Sequence, residues 1–373
     1  MSPTERTSPP GPVLTVVDDA RWDGFLAATP GGDHVQSSGW ARTKGFQGFG
    51  NTRVVLAREG SIVAGAQILI RRFPVAGALG YVPRGPVVAP GDTAAADAVI
   101  AALTRRAAQH RIRHLVVQPG RNGEWIAARL HAGGFVPGAM SVAPTATLLV
   151  DLGPDLDDIF AGLSKSARKH VRRGLRHGVA VREGTAADLG VFHDLVTATA
   201  RRHGFSPYPR GYFEAMWQAF HPAGHLRLFF ADYEGAALSG HMVIPFGETL
   251  LSKVVAWSGT HPTVYPNEVL EWHVIEWAKQ HGFAYYDLEG VERPTAERIL
   301  AGAPDPIEDL RPADAFKLKF GGSPVLLPAA FDYFSSRLVA HTYGRAYRMA
   351  FSGGWPRASL SRWRTRPAQE IDG

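Results

Sequence analysis

The chain contains no cysteine. That excludes a disulfide scaffold, a thiolate nucleophile and every Cys-ligated zinc or iron–sulfur site. It has no apolar run near the ~20 residues that span a bilayer. Its opening stretch, MSPTERTSPPGP, lacks the apolar centre of a secretory signal and reads as a disordered lead over 1–12. A soluble, cytoplasmic protein is therefore expected. Fifteen histidines are scattered without an HExxH or HxxEH arrangement, so neither a metal site nor a cofactor is expected. Walker loops and G-x-S-x-G elbows are also missing.

What is present is globular. The 373 residues exceed one ordinary core, and 45% hydrophobic with 20% charged residues excludes a disordered chain. A net charge of +6 is too small for general nucleic-acid coating but leans toward polyanionic partners. That charge is concentrated. LSKSARKHVRRGLRHG (163–178) holds six Lys and Arg, two His and no acidic residue.

Two segments read alike. RVVLAREGSIVAGAQILIRR (53–72) and RLFFADYEGAALSGHMVIPF (227–246) each give a strand, a turn at Glu-Gly and a second strand. Glu59-Gly60 and Glu234-Gly235 are 175 residues apart, as are Gly65 and Gly240. Glycine supplies the positive φ of the turn; the later one, inside a strand, marks a bulge or a close backbone approach. Each hairpin is followed by an amphipathic helix and a strand: ADAVIAALTRRAAQH then IRHLVVQPG, and NEVLEWHVIEWAKQHG then FAYYDLEG. Matching order and matching turn residues imply a duplicated mixed α/β domain, with a junction near 141–160.

The basic segment follows that junction. One helix is expected from Asp155 to a Gly178 C′ cap, its acidic start and basic end matching the helix dipole. Lys165, Lys169, Arg172 and Arg176 share a face, flanked by Arg168 and Arg173; Ile159, Leu163, Ala167 and Val171 form the apolar stripe. A solvated face and a polyanion contact both suit such a run. The missing i,i+4 glutamates favour the second. In AFKLKFGG, strand-like alternation turns Phe316, Leu318 and Phe320 one way and Lys317 and Lys319 the other. An anion site and a lysine-guarded edge strand both fit.

Five segments in order carry a family resemblance: QSSGWARTKGFQGFG (36–50), GYVPRGPVV (80–88), LSKSARKHVRRGLRHGVAVREG (163–184), YYDLEGV (285–291) and DAFKLKFGGSPV (314–325). Over about residues 13–350 the chain resembles the Fem family of aminoacyl-tRNA-dependent aminoacyltransferases. The resemblance implies an α/β (α+β) chain of two tandem acetyltransferase-like (GNAT) domains, 13–150 and 151–330, with no coiled-coil insertion. A C-terminal helix over 331–352 and a flexible basic tail over 353–373 are expected to follow. No acetyl-CoA loop of the Q/RxxGxG/A kind opens a helix, so acetyltransferase activity does not follow from the fold.

The resemblance implies transfer of an amino acid from aminoacyl-tRNA to an acceptor amine, on a peptidoglycan precursor of the lipid II type. It maps catalysis onto Phe316 and Lys317, and nucleotide-linked phosphates of the acceptor onto Lys44. Tyr212 maps onto an aromatic of the acceptor cleft. The basic helix (Lys165, Arg168, Lys169, Arg172, Arg173, Arg176) and Lys319 become candidates for tRNA phosphates. Arg84, held between prolines, reads equally as cleft wall and rigid turn. Three positions depart from the family: Gln118 where an acid is expected, Tyr208 where an arginine is expected, and Trp257 for a tyrosine. All three belong to the acceptor side, which leaves a small natural product open as the acceptor. A CoA-dependent N-acyltransferase and a non-catalytic RNA-binding GNAT pair are the competing classes. Asp287 and Glu289 suit either proton acceptance or ion pairing, and the structural role is favoured. A monomer is expected, at the inner face of the membrane if Trp355, Trp363 and the tail arginines touch lipid.

Overall fold

The computed structural model describes residues 12–74, 77–139, 141–302 and 310–343. Its first stretch runs β1 (Val13–Thr15), α1 (Asp19–Ala28), α2 (Ser38–Phe46), β2 (Gly50–Arg58), β3 (Ser61–Phe73), β4 (Gly77–Pro83), β5 (Val87–Val88), α3 (Thr93–Gln109), β6 (Ile112–Gln118), α4 (Glu124–Ala132) and β7 (Val136–Pro137). The second continues β8 (Ala146–Asp151), α5 (Leu156–Gly162), α6 (Lys165–Arg176), β9 (Ala180–Glu183), α7 (Leu189–His203), α8 (Arg210–Phe220), β10 (Arg227–Tyr233), β11 (Ala236–Phe246) and β12 (Thr249–Trp257). It ends α9 (Pro266–Gln280), β13 (Tyr285–Asp287), α10 (Arg293–Leu300), α11 (Pro312–Leu318), β14 (Ser323–Leu326) and β15 (Phe331–Phe334). No helix of the described residues is long and apolar enough to cross a membrane.

The chain forms two compact units, one holding 49–142 with residues up to 37 and the segment from 328, the other 38–48 and 143–327. Each is built on one sheet, in the orders β1-β2-β3-β4-β6-β15-β7 and β14-β8-β13-β12-β11-β10-β9. The repeat seen in the sequence is structural. Glu59 and Gly60 have φ of 51° and 80°, Glu234 and Gly235 of 49° and 78°. Both turns thus have the positive-φ pair that matches hairpin twist. Both hairpins carry an irregularity at the same place, Leu56/Ala57 and Ala231/Asp232. The strand glycines serve close packing: a Cβ on Gly65 would lie 2.5 Å from Trp22 of α1, and one on Gly240 2.8 Å from Phe192 of α7.

In the first unit α3 starts at Asp92, which accepts from Ala95 N and pairs with Arg58 at 2.7 Å. Its buried face, Val99, Ile100 and Leu103 among alanines, covers the sheet. Full burial of such side chains contributes about 1.5–3 kcal/mol each. α9 covers the second sheet in the same way through Val269, Leu270, Ile275 and Ala278.

Four expectations are corrected. β8, assigned to the end of the first domain, lies in the second sheet between β13 and β14, while β15 lies beside β6 in the first. The two repeats exchange their last strands, and the buried His114–Asp332 contact of 2.9 Å ties β15 to β6. Second, the helix expected over 331–352 begins as that strand, and helix occupies 337–343. Residues 344–373, with the expected tail and its lipid contact, and the lead over 1–11 lie outside the described residues. Third, the basic helix is two helices. Ser164 caps α6 by accepting from Ala167 N at 3.1 Å, which stops α5 before it. Fourth, AFKLKFGG is not a strand. Pro312 opens α11, and Phe316 and Phe320 meet at i,i+4, ring centroids 5.1 Å apart.

Candidate active site

β12 and β13 pair in parallel only over Thr249–Leu251 and Tyr285–Asp287. β12 then continues along β11 to Trp257, whereas the chain beyond β13 follows β8: Leu288 N donates to Leu148 O and Val291 N to Ala146 O. A wedge opens between β12 and residues 288–291. In the first sheet the corresponding pair, β4 and β6, stays joined to the last residues, Pro83 and Gln118.

Charged groups fill the wedge. Glu289, held at φ 51°, forms an ion pair of 3.0 Å with Lys253 of β12. Asp287 fixes the bend by accepting from Glu289 N at 2.8 Å and from the Thr147 hydroxyl. Lys317 enters from α11 and donates to Glu289 O and, at 2.7 Å, to Gly290 O. An ammonium has three donors, so among the described residues one remains. Burial lowers the pKa of Lys317, against the pull of Glu289, Asp314, Glu271 and Asp287. Asp314, buried in α11, accepts from Glu292 N and Arg311 and fastens the helix to the same bend. Lys319 O accepts from Ser164 N at 2.9 Å, which ties the end of α11 to the start of α6.

Trp40 of α2 connects this cluster to the expected acceptor residues. Lys44 Nζ lies 4.7 Å from its ring centroid and Lys253 Nζ 5.0 Å. Lys44 is also 5.8 Å from the Tyr212 ring and donates to Gln47. Tyr208 stacks on Tyr212 at 4.2 Å. Lys44, Tyr208, Tyr212, Lys253, Glu289 and Lys317 therefore form one connected set. Trp257 is four residues beyond Lys253, under the Arg202 guanidinium and hydrogen-bonded to Thr260 O. In the first unit, Arg84 (φ 50°) and Gln118 meet where Gly85 N donates to Gln118 O. The buried Gln118 amide oxygen accepts from Tyr81 and Val142 N, a structural tie.

On α6, Lys165, Lys169, Arg172 and Arg176 are exposed, opposite buried Ala167 and Val171. None of the four has a carboxylate within ion-pair distance among the described residues. Arg168 instead turns back to the Ala161 and Leu163 carbonyls at the end of α5, and Arg173 to His177 and the Tyr265 ring.

Sequence reasoning missed the buried polar cluster beneath the wedge. Glu271 accepts from the Tyr286 hydroxyl at 2.5 Å, and its other oxygen lies 3.6 Å from His241 Nδ1. His241 Nε2 bonds Ser252 at 2.9 Å. Burial pushes Glu271 up to about 7 and His241 down to about 3. The available signal was a carboxylate inside the i,i+3/i+4 apolar stripe of α9.

An acetyltransferase (GNAT) domain model matches residues 164–295, and a FemAB family model matches 17–125. The chain is 27% identical over 309 residues to the UDP-N-acetylmuramoylpentapeptide-lysine N(6)-alanyltransferase of Weissella viridescens, covering 78% of this chain and 90% of that one. It is 26% identical over 232 residues to the lipid II:glycine glycyltransferase of Staphylococcus saprophyticus, covering 59% and 56%. It thus spans just over half the length of the glycyltransferase. The crystal structure of FemX has the same fold, with a TM-score of 0.80, 20% identity and coverage of 88% and 99%. The two family matches, the relatives and the shared fold support a Fem family enzyme built as two tandem GNAT-like domains.

Proposed function

We propose that the protein is an aminoacyltransferase that moves an amino acid from aminoacyl-tRNA to an amine of a peptidoglycan precursor. The observation that carries the mechanism is Lys317, two of whose donors are spent on backbone carbonyls of the wedge. The acceptor nitrogen attacks the ester carbonyl carbon, the C–N bond forms, and the C–O bond to the terminal ribose breaks. The amine loses a proton and the departing ribose oxygen gains one, so no ATP is consumed. The remaining Lys317 donor faces the tetrahedral oxyanion; loss of such a donor costs about 10²–10³ in kcat. The α6 stripe meets tRNA phosphates independently of sequence, a reading supported by the bond from Ser164 N, at the head of α6, to Lys319 O at the end of α11. Lys44 and Lys253 over Trp40 face the acceptor phosphates. The relatives that act on murein precursors support this acceptor. The altered acceptor positions Tyr208 and Trp257 keep a small-molecule amine as the second reading.

Lys317→Ala separates the steps. The expected result is retained binding of charged tRNA with transfer down about 10²–10³-fold. Transfer at the wild-type rate removes Lys317 from the mechanism. Calorimetric binding of acetyl-CoA would replace the donor altogether.

A further inference from the structure

The first unit carries a second cationic surface, far denser than the net charge suggests. No acidic residue occurs from 60 to 91 or from 98 to 123. The arginines of these stretches converge on one end of the sheet. Arg106 is in the last turn of α3 with Arg105 just before it, Arg111 is in the turn that follows, and Arg113 is the second residue of β6. Arg72, at the end of β3, reaches the same turn through a 3.4 Å hydrogen bond to His110 O. Arg113 O accepts from Ser335 N at 2.9 Å, which brings the start of the 337–343 helix, and with it Arg337, to this end.

Five of these six arginines are exposed; Arg106 is half-buried and donates to Thr52 at 2.9 Å. None of the six has a carboxylate within ion-pair distance among the described residues, whereas Arg53, Arg58 and Arg129 of the same unit each hold one. Crowding guanidiniums at one end without acids is self-repulsive unless an anionic surface faces it. Beside Arg337 stands Leu338, 71% exposed at the head of its helix. A single-stranded RNA surface calls for aromatic faces on which bases stack. The side chain standing clear among these arginines is aliphatic. Cations around an exposed aliphatic group match a bilayer interface, where charges meet headgroups and the apolar group enters the acyl boundary.

We infer that this end of the first unit docks on an anionic phospholipid surface through Arg72, Arg105, Arg106, Arg111, Arg113 and Arg337, with Leu338 inserted. The inference does not require the aminoacyl-transfer reading. If both hold, a lipid-linked acceptor is met by a protein already resident on its membrane.

The test is vesicle sedimentation with the full chain, using phosphatidylcholine alone or with about a third phosphatidylglycerol. Wild type is expected to bind the mixed vesicles, less at high salt, and not the neutral ones. Removing one arginine from such a contact lowers partitioning about fivefold, so Arg105→Ser/Arg111→Asn/Arg113→Ser lowers it about a hundredfold; Asn at 111 tolerates the φ of 54°. Leu338→Ser is expected to cost about tenfold. An α6 variant, Lys165→Ser/Lys169→Ser/Arg172→Ser, should bind vesicles like wild type. Two results would overturn the inference: no binding to anionic vesicles, or full binding by the triple-arginine variant. Neither of these outcomes depends on tRNA donation or catalysis, so failure here leaves the transfer reading standing.

Discussion

Glu271 makes a prediction with a definite sign. Its carboxyl is buried on α9 and pushed up from 4.5 to about 7, chiefly by desolvation, with the Tyr286 hydrogen bond and the Lys317 charge pulling the other way. His241 beside it, pushed down to about 3, is neutral throughout the range that matters. Below pH 4.5 the folded and unfolded chains both hold the Glu271 proton. Between 4.5 and about 7 the unfolded chain releases it and the folded chain does not, so stability falls as pH rises, by about 1.4 kcal/mol per pH unit. Above about 7 the loss levels off near 3 kcal/mol. Glu271→Gln is neutral at every pH and keeps an oxygen for the Tyr286 hydroxyl. Allowing about 1 kcal/mol for the altered hydrogen bond, the variant should be more stable than wild type by about 2 kcal/mol at pH 8. At pH 4.5 it should be less stable by about 1 kcal/mol. For a domain of this size the pH 8 gain raises Tm by about 4–8 °C. Tryptophan-fluorescence melts at pH 4.5, 6 and 8 read this directly. An equal loss of Tm at all three values would refute the buried titration.

Lys165→Ser/Lys169→Ser/Arg172→Ser should weaken tRNA binding alike for different tRNAs and lower the log–log salt slope by about 2–3; filter binding across a salt series measures both. Lys253→Met removes the 3.0 Å partner of Glu289 and should raise the acceptor KM about tenfold or more, with tRNA affinity unchanged in the same filter assay. Gly240→Ala drives a Cβ to 2.8 Å from the buried Phe192 ring and should cost about 1–3 kcal/mol. Gly162→Ala, in α5 with nothing within 4 Å, should be neutral or stabilise by up to about 1 kcal/mol, both read from denaturant midpoints.

The duplication was legible because turn chemistry is local. In both repeats a Glu-Gly pair between two apolar runs forms the hairpin turn, and the structure repeats even the φ values. The exchange of β8 and β15 was not, since which sheet a strand joins is decided by pairing across more than a hundred residues. AFKLKFGG misled because its apolar positions 316, 318 and 320 satisfy a period of two, while 316 and 320 alone satisfy the helix. Pro312, at the first helical position, was the deciding signal. The α5–α6 break was also readable, because serine at 164 caps a helix as readily as it sits inside one. Lys317 was named as a catalytic candidate by resemblance alone, and nothing local in the sequence tells that β12 and β13 part after Leu251 and Asp287. Lys253 went unnoticed for the same reason: a lysine in an apolar strand reads as an edge guard until the strand beside it diverges.

The most direct test of the account is a transfer assay. The protein is incubated with tRNA charged by labelled amino acids, with and without lipid II or its soluble nucleotide precursor, and the label is followed to product. Label joined in amide linkage to the precursor, dependent on charged tRNA and lost in Lys317→Ala, is the predicted result. Charged tRNA that is neither bound at low salt nor consumed in the presence of either acceptor would contradict it.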